Sequence, residues 1–197
     1  MGDPRRQKNK YSKPPHPWEA GRIESERKLV KQYGLKNKKE IWKAVSLMKK
    51  YKRQAKKTIA SQSPQGKVEE KQLLNSLARY RILAESAKVE DVLDLSVEAF
   101  LDRRLQSVVV RKGLARTPTQ ARQFIIHGHI GINQAKVDRP SYLVHFEEEG
   151  AIQFLKKSPF VDEEHAERTA GRVKKKEVVV ENKSVEKVEE KEEKNEG

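Results

Sequence analysis

Residues 103–141 concentrate basic side chains in one short segment of the chain. The basic residues are Arg103, Arg104, Arg111, Lys112, Arg116, Arg122, Lys136 and Arg139. The only acidic residues within this segment or directly before it are Asp102 and Asp138. A guanidinium group suits phosphate because its planar fork donates two hydrogen bonds and gives up little hydration. The composition of this segment therefore predicts a surface that binds a polyanion.

The same segment also supplies neutral hydrogen-bonding side chains. These are Thr117, Thr119, Gln120, Gln123, His127, His129 and Asn133. Thr117, Pro118 and Gln120 are spaced as the cap, first position and third position of a helix. The backbone N–H groups at a helix N-terminus can bind a phosphate oxygen. We therefore expect Thr117, Gln120, Gln123, His127 and His129 at the same surface as the arginines.

The net charge of the chain is unevenly distributed. The 197 residues include 43 Lys and Arg against 29 Asp and Glu, a net charge of +14. Residues 1–60 hold 19 basic and 5 acidic residues, or +14, and residues 101–146 hold 8 and 2, or +6. A run of charged residues usually forms a solvent-exposed face of a protein. A 60-residue segment that carries the whole excess favours a nucleic-acid partner over solubility alone.

The first basic zone contains an arm and a helix. Residues 1–18 are basic, rich in proline and poor in aliphatic side chains, which predicts an extended arm that orders against a partner and contacts phosphate through Arg5 and Arg6. Apolar residues recur at helical spacing from Asn37 to about Ile59. The opposite face of this helix presents five candidate phosphate ligands, Lys49, Lys50, Arg53, Lys56 and Lys57.

Other chemistries find little support in the sequence. There is no cysteine, no apolar run of about 18 residues that could cross a membrane, and no apolar core typical of a signal peptide. His127 and His129 straddle a helix end, and the carboxylates at residues 147–149 and 162–164 lack a nucleophile or a phosphate loop. We expect no metal, no cofactor, no membrane, no enzymatic activity and a cytoplasmic location.

The periodicity of the chain predicts an α+β fold. Helices are expected from Gly21 to a cap at Gly34, from Asn37, and over residues 68–83, with Trp18, Trp42 and Tyr33 in their core. Residues 61–66 are expected to form a loop.

Beyond residue 95 the pattern predicts a small domain. Ser96 caps a helix that leaves Arg103, Arg104, Gln106 and Arg111 partly outward, and Thr117 caps a second helix. A short antiparallel sheet follows, from strands at residues 129–133, 136–137, 142–146 and 151–154. The predicted regions are a basic arm (1–18), a helical region (19–95), the small domain (96–160) and a charged low-complexity tail (161–197).

Residues 101–145, LDRRLQSVVVRKGLARTPTQARQFIIHGHIGINQAKVDRPSYLVH, closely resemble the S-four RNA-binding domain. The motifs that carry this resemblance are RRLQ, the GLA turn, the GHI strand and the segment after it, in which Pro-Ser is followed by hydrophobic residues. The stretch PWEAGRIESERKLVKQYGLKNKKEIWKA resembles the N-terminal region of the archaeal and eukaryotic branch of the small-ribosomal-subunit protein S-four family. The resemblance covers roughly residues 14–155. The usual Asn-Gly turn is Asn133 and Gln134 here, which disfavours a type I′ turn.

The resemblance implies a structural, rRNA-binding protein. Members of the family bind the five-prime domain of small-subunit rRNA, nucleate assembly, lie near the site where mRNA enters the subunit, and contribute to accuracy with protein S-five. By similarity, the RNA-facing residues are Arg103, Arg104, Thr117, Gln120, Arg122, Gln123, His127 and His129, with support from the lysine-rich helix. Some bacterial members have a zinc-binding cysteine cluster, which this chain lacks.

Two other function classes fit parts of the pattern. A capped helix-turn-helix could belong to a DNA-binding regulator, but its second helix exposes few base-reading side chains and a sheet follows at once. An RNA-modifying enzyme or a synthetase can borrow the same domain, but it needs a catalytic domain that the remaining residues do not supply. The ribosomal interpretation accounts for the arm and the helical extension as well.

Overall fold

A computed structural model describes residues 9–61, 63–84, 86–162 and 165. Arg5 and Arg6 of the predicted arm, and the predicted tail from residue 166 onward, lie outside these ranges. The described residues divide into two units, one that ends at Gln153 and one that begins at Phe154. The predicted division at residues 18, 95 and 160 stays a prediction.

The first unit is helical with a small sheet, as the sequence predicts. Its helices are α1 (Ala20–Tyr33), α2 (Lys38–Ala60), α3 (Pro64–Arg79), α4 (Val97–Asp102), α5 (Leu105–Arg111), α6 (Pro118–Ile126) and α7 (Phe146–Glu149), with a 3-10 turn at Glu90–Val92. The strands are β1 (Ile130–Ile132), β2 (Ala135–Lys136) and β3 (Ile152–Phe154, whose last residue belongs to the second unit), in the order β2-β1-β3. The expected α+β class is confirmed.

Helix α2 is the central element because it contributes to two apolar clusters. Near its start, Ile41 packs with Tyr33, Leu35 and Leu101. In the second cluster, Ala55 of α2 lies with Leu73 and Leu77 of α3, with Val89, Val92 and Leu95, and with Phe100 of α4. One face of α2 is thus committed to the core along most of its length. Its charged residues are left on the opposite face.

The ends of α1 and α3 show how local sequence sets helix boundaries. Gly34 has φ of 58°, a left-handed conformation that ends α1 as predicted. Helix α3 begins at Pro64, inside the predicted loop, because the Ser63 hydroxyl accepts the Gly66 N–H and Pro64 fits the first turn.

The aromatic side chains near α1 depart from expectation. Trp18 is 89% exposed, so its predicted place in the core is wrong. Instead, Tyr11 of the arm lies against Trp42, with ring centroids 6.1 Å apart, and the Ser12 N–H donates to Ser46 Oγ at 3.1 Å. Part of the predicted arm is therefore ordered on α2 by the chain itself.

The predicted helix after Ser96 is broken into α4 and α5. The Ser96 hydroxyl accepts the Ala99 N–H as expected, but Arg104 is extended, with φ of −71° and ψ of 144°. It pairs with Leu143 in an isolated β-bridge. The pairing brings residues 142–144 beside the break and replaces a continuous helix.

The segment after Leu143 is also different from the predicted strand over residues 142–146. Phe146–Glu149 forms α7, whose start is fixed by Glu148. The Glu148 carboxylate accepts hydrogen bonds from the His145 N–H at 3.2 Å and from the Tyr142 hydroxyl at 2.9 Å. These bonds turn the backbone into a helix, so only the bridge at Leu143 retains β pairing.

The hairpin between β1 and β2 has a two-residue turn. Gly131 pairs with Lys136 and Ile132 with Ala135. Asn133 and Gln134 have φ of 49° and 66°, the left-handed values of a type I′ turn. The expectation against this turn is wrong: Gln134 adopts the conformation although it is not glycine, because the antiparallel pairing on both sides fixes the loop length.

Candidate nucleic-acid interface

A largely buried ion cluster joins α2 to α6 and to the break between α4 and α5. Glu40 of α2 accepts hydrogen bonds from the guanidinium groups of Arg104 and Arg122. Arg122 Nη2 lies 2.9 Å from Glu40 Oε1, and Arg122 Nη1 lies 3.3 Å from Oε2. Two of the predicted phosphate ligands are thus held by a carboxylate of the same chain.

The carboxyl group of Glu40 is ionised through its two partners. Burial alone would raise the pKa of Glu40, but hydrogen bonds from Arg122 and Arg104, together with their charges, outweigh burial and lower it. The cluster is therefore a charged pair of guanidinium groups around one carboxylate. It carries a net charge of one positive unit.

Gln106 holds α1, α5 and α6 together. Its Nε2 lies 3.1 Å from the carbonyl oxygen of Tyr33, 3.0 Å from that of Gly34 and 2.8 Å from that of Pro118. The side chain is buried, so the expectation that it points partly outward is wrong. The carboxamide thereby supplies a donor to the carbonyls of Tyr33 and Gly34, which lie at the C-terminal end of α1 and have no intrahelical N–H partner.

A second ion cluster joins α7 to α5 and to the end of α4. Arg103 Nη1 lies 2.8 Å from Glu149 Oε2, and Arg111 Nη2 lies 2.9 Å from Oε1. Arg103 also donates to the Val144 carbonyl at 3.1 Å. Burial raises the pKa of Glu149, but the hydrogen bond and charge of Arg103 and then those of Arg111 lower it overall.

Several predicted RNA ligands therefore face inward. Arg103 is 5% exposed and Arg104 6%, so the expectation that they point partly outward is wrong. Arg122 is partly buried, whereas Arg111 is exposed although paired. The physical reason is that Glu40 and Glu149, distant in sequence, satisfy charges that would otherwise need solvent or a ligand.

The start of α6 remains an open, hydrogen-bonding surface. The Thr117 hydroxyl accepts the Gln120 N–H at 3.2 Å, which confirms the predicted cap. Gln120 Oε1 accepts the Arg116 N–H at 2.8 Å. The Arg116 side chain is exposed and makes no ion pair with any residue that the structure describes. A cationic side chain thus stands beside the positive end of a helix dipole.

The other end of α6 adds a second part of this surface. Gln123 and His127 are exposed, and His129 is half-buried. Burial, followed by the nearby His127 and Lys136, lowers the pKa of His129. A Cβ built on Gly128 would lie 2.1 Å from Lys136 Cε, so the Lys136 side chain runs directly over the glycine. We call Arg116, Thr117, Gln123, His127 and Lys136 the α6 surface.

The exposed face of α2 forms a second basic surface. Lys49, Arg53 and Lys56 follow one line of the helix at spacings of four and three residues, and Lys50 and Lys57 lie beside them. All five are exposed. Lys57 is 3.8 Å from Glu69, a largely solvent-accessible pair that contributes little. We call these five residues the α2 surface.

The comparisons with known proteins agree with the expected family. The family model of the S4 domain matches residues 103–149. The chain is 53% identical over 170 residues to small ribosomal subunit protein uS4 of Methanococcus aeolicus, covering 86% of this chain and 96% of that one. It is 52% identical over 171 residues to the uS4 protein of Methanococcus maripaludis strain C5, with the same two coverages.

The chain belongs to the uS4 family. The expected resemblance and the archaeal affinity are confirmed, since these relatives are archaeal. Membership also confirms the non-enzymatic class that the sequence predicts. Among the described residues, no helix is long and apolar enough to cross a membrane. Within the same ranges, no three His, Cys, Asp or Glu side chains come together where a metal could bind.

Some residues at the surface escape the sequence analysis. The sequence does not indicate that Glu40 pairs with two arginines, because these partners lie 64 and 82 positions further along the chain. Lys39 is exposed one turn before Lys43, on the basic face of α2, and could have been found from this spacing.

Proposed function

We propose that this chain is a structural constituent of the small ribosomal subunit that binds the five-prime domain of its rRNA and helps nucleate assembly. The observation that carries the proposal is that some basic residues are paired within the protein and others are exposed. Arg103, Arg104 and Arg122 are paired with carboxylates, whereas the α6 surface and the α2 surface keep exposed cations. Two such surfaces on one unit suit a folded RNA with phosphates on more than one helix.

Each group has a distinct role in this proposal. Arg116 and Lys136 bind phosphates, Thr117 and Gln120 present the α6 N-terminus, and Gln123, His127 and His129 donate to sugar or base groups. Lys49, Lys50, Arg53, Lys56 and Lys57 bind a second stretch of backbone. Arg103, Arg104, Arg111 and Arg122 hold these elements in place and add positive potential. Arg5 and Arg6 add phosphate contacts in the arm, as their charge in the sequence suggests.

The proposed partners follow from the family. Besides rRNA and other ribosomal proteins, we propose a contact with protein S-five that contributes to accuracy, and a position close to mRNA where it enters the subunit, in the cytoplasm. The resemblance supports these finer points. Reconstitution of small subunits with and without this chain, followed by misreading assays and by cross-linking to protein S-five, tests them.

Equilibrium binding to rRNA fragments tests the central proposal. The full chain is titrated with transcripts of the five-prime domain and, as a matched control, with a transcript of another small-subunit rRNA domain of equal length. We expect at least tenfold tighter binding to the five-prime-domain transcript at 150–200 mM salt. Equal affinity for both transcripts would mean that the binding is merely electrostatic.

A further inference from the structure

A groove separates the start of α2 from the small domain, beside the Glu40 cluster. It has a volume of about 390 Å³, within the range of about 300–1,000 Å³ typical of small-molecule sites. One side carries Lys39 and Lys43, and the apolar wall includes Ala44, Leu47 and Leu143. The proposed function uses none of these five residues.

The charge of the groove selects an anion. Lys39, Lys43, Arg104 and Arg122 line it, and Glu40 is the one acidic residue among the described residues of the lining. Neither lysine makes an ion pair with any residue that the structure describes. Arg104 Nε has no hydrogen-bond partner within the described ranges, so Glu40 does not use all the donors of its two arginines. The net charge of the lining is therefore three positive units.

The shape and polarity of the groove favour a nucleotide over a simple inorganic anion. A phosphate alone needs cations but gains nothing from the wall of Ala44, Leu47 and Leu143. A base and its sugar bring apolar surface together with a phosphate. Extruded bases are held between aromatic or apolar side chains, and unstacked bases in RNA also lie on guanidinium planes. Arg122, held in one orientation by Glu40, supplies a planar guanidinium on the same lining.

We propose that this groove binds one unstacked nucleotide of a single-stranded RNA segment. Lys39 and Lys43 bind its phosphate, and its base and sugar lie against the apolar wall. The exposed Asn37 side chain, which does not cap α2, lines the groove and can bond to the base edge. The inference rests on the proposed function, because the RNA that supplies the nucleotide is the one bound by the α6 and α2 surfaces.

Nuclear magnetic resonance with the four nucleoside 5′-monophosphates tests the site on the full chain. We expect amide shifts over residues 37–47 and 141–143, weaker shifts with ribose 5-phosphate, and the weakest with inorganic phosphate. Equal affinity for inorganic phosphate and for the nucleotides would overturn the proposal and leave a plain anion site. Shifts with a tetraglutamate peptide but not with nucleotides would also overturn it, in favour of an acidic protein segment.

Two variants connect the groove with RNA binding. Ala44→Leu fills the groove without changing its charge, and Lys39→Gln with Lys43→Gln removes both cations. Ala44→Leu takes the space of the base and sugar, and the double lysine variant removes the cations that bind the phosphate. We expect each to weaken binding of the five-prime-domain transcript roughly tenfold. Lys67→Gln with Lys71→Gln is the matched control, with the same spacing and charge change on α3.

The outcomes separate this inference from the proposed function. A wild-type chain that binds no rRNA transcript contradicts the proposed function. Normal binding by the wild type, with groove variants that match the α3 control, overturns the groove alone. Circular dichroism establishes whether Ala44→Leu folds, and the double lysine variant, which changes only exposed side chains, decides the question if it does not.

Discussion

Arg122 of α6 donates to both carboxylate oxygens of Glu40 at the start of α2, across 82 positions of sequence. Arg104 donates to the same carboxylate from the break between α4 and α5. Three elements that are far apart in the chain therefore meet at one side chain. Because both proposed RNA surfaces are built on α2 and α6, this carboxylate fixes their relative orientation.

Replacement of Arg104 should therefore destabilise the fold. We expect Arg104→Ala to lower the free energy of unfolding by about 2 kcal/mol, because the largely buried Glu40 keeps only one of its two charge-assisted partners. Urea denaturation followed by circular dichroism measures the change. Arg139→Ala, which removes an exposed guanidinium of the same domain, is the control and should cost less than about 0.5 kcal/mol. Equal costs would show that the buried pair contributes nothing.

The Glu40 cluster also changes what we expect from charge reversal at Arg104 and Arg122. The sequence alone suggests that such a variant weakens RNA binding and leaves the fold intact, since both residues are expected at the surface. With both guanidinium groups around Glu40, reversal would place three carboxylates together. Loss of RNA binding by that variant would therefore report unfolding rather than a lost contact.

The Glu40 and Glu149 clusters should make stability depend on acidic pH. Both carboxyl groups have a folded-state pKa below the usual 4.5, so the unfolded chain binds more protons in this range. Their contribution is complete above about pH 4.5 and is lost as the pH falls through the folded-state values. Urea titrations between pH 6 and pH 3 measure the slope. Glu40→Gln should flatten it, whereas the exposed Glu24→Gln should not.

Local chemistry was predictable where neighbouring residues determine the conformation. The cap at Thr117, the cap at Ser96 and the left-handed Gly34 all depend on residues within four positions, and all three are confirmed. The break at Arg104 was not predictable, because it depends on pairing with Leu143.

The functional residues also fall into those that could be predicted from the sequence and those that could not. Exposed cations at Arg116 and Lys136 could be predicted from composition, since their own neighbours leave them free of ion pairs in the described part of the chain. The inward direction of Arg103 could not, because Glu149 lies 46 positions away. A basic residue type predicts a partner of opposite charge but does not say whether this partner is RNA or the protein itself.

The α6 surface should contribute to RNA affinity without contributing to stability. We expect Arg116→Gln with Lys136→Gln to weaken binding of the five-prime-domain transcript roughly tenfold, and to reduce the salt dependence by about 0.9 in log–log slope for each lost phosphate contact. Filter binding at several salt concentrations measures both. Lys67→Gln with Lys88→Gln is the control, since these exposed lysines lie in residues 61–100, which have 5 basic and 7 acidic residues. An unchanged salt slope in the α6 variant would exclude phosphate contacts at these positions.

Gly128 provides a separate test of where Lys136 must lie. Gly128 and Gly113 both have φ of 74°, so an alanine at either position should cost about 1–2 kcal/mol of stability from backbone strain. A new Cβ at Gly128 would overlap Lys136 Cε at 2.1 Å, whereas one at Gly113 would meet nothing within 4 Å. Because Lys136 is an exposed, flexible side chain that can move away from the new Cβ, we expect similar losses of stability from the two substitutions. Only Gly128→Ala should also weaken RNA binding, because it displaces the Lys136 ammonium.

Comparison with Lys136→Gln completes this test. If the displaced ammonium causes the loss of affinity, Gly128→Ala should have little further effect on RNA binding in a chain that already carries Lys136→Gln. Denaturation curves and transcript titrations on the three single variants and the double variant measure this coupling. Additive losses of affinity would show that Gly128→Ala acts on RNA binding through the backbone of the hairpin, and would contradict the role given to the position of Lys136.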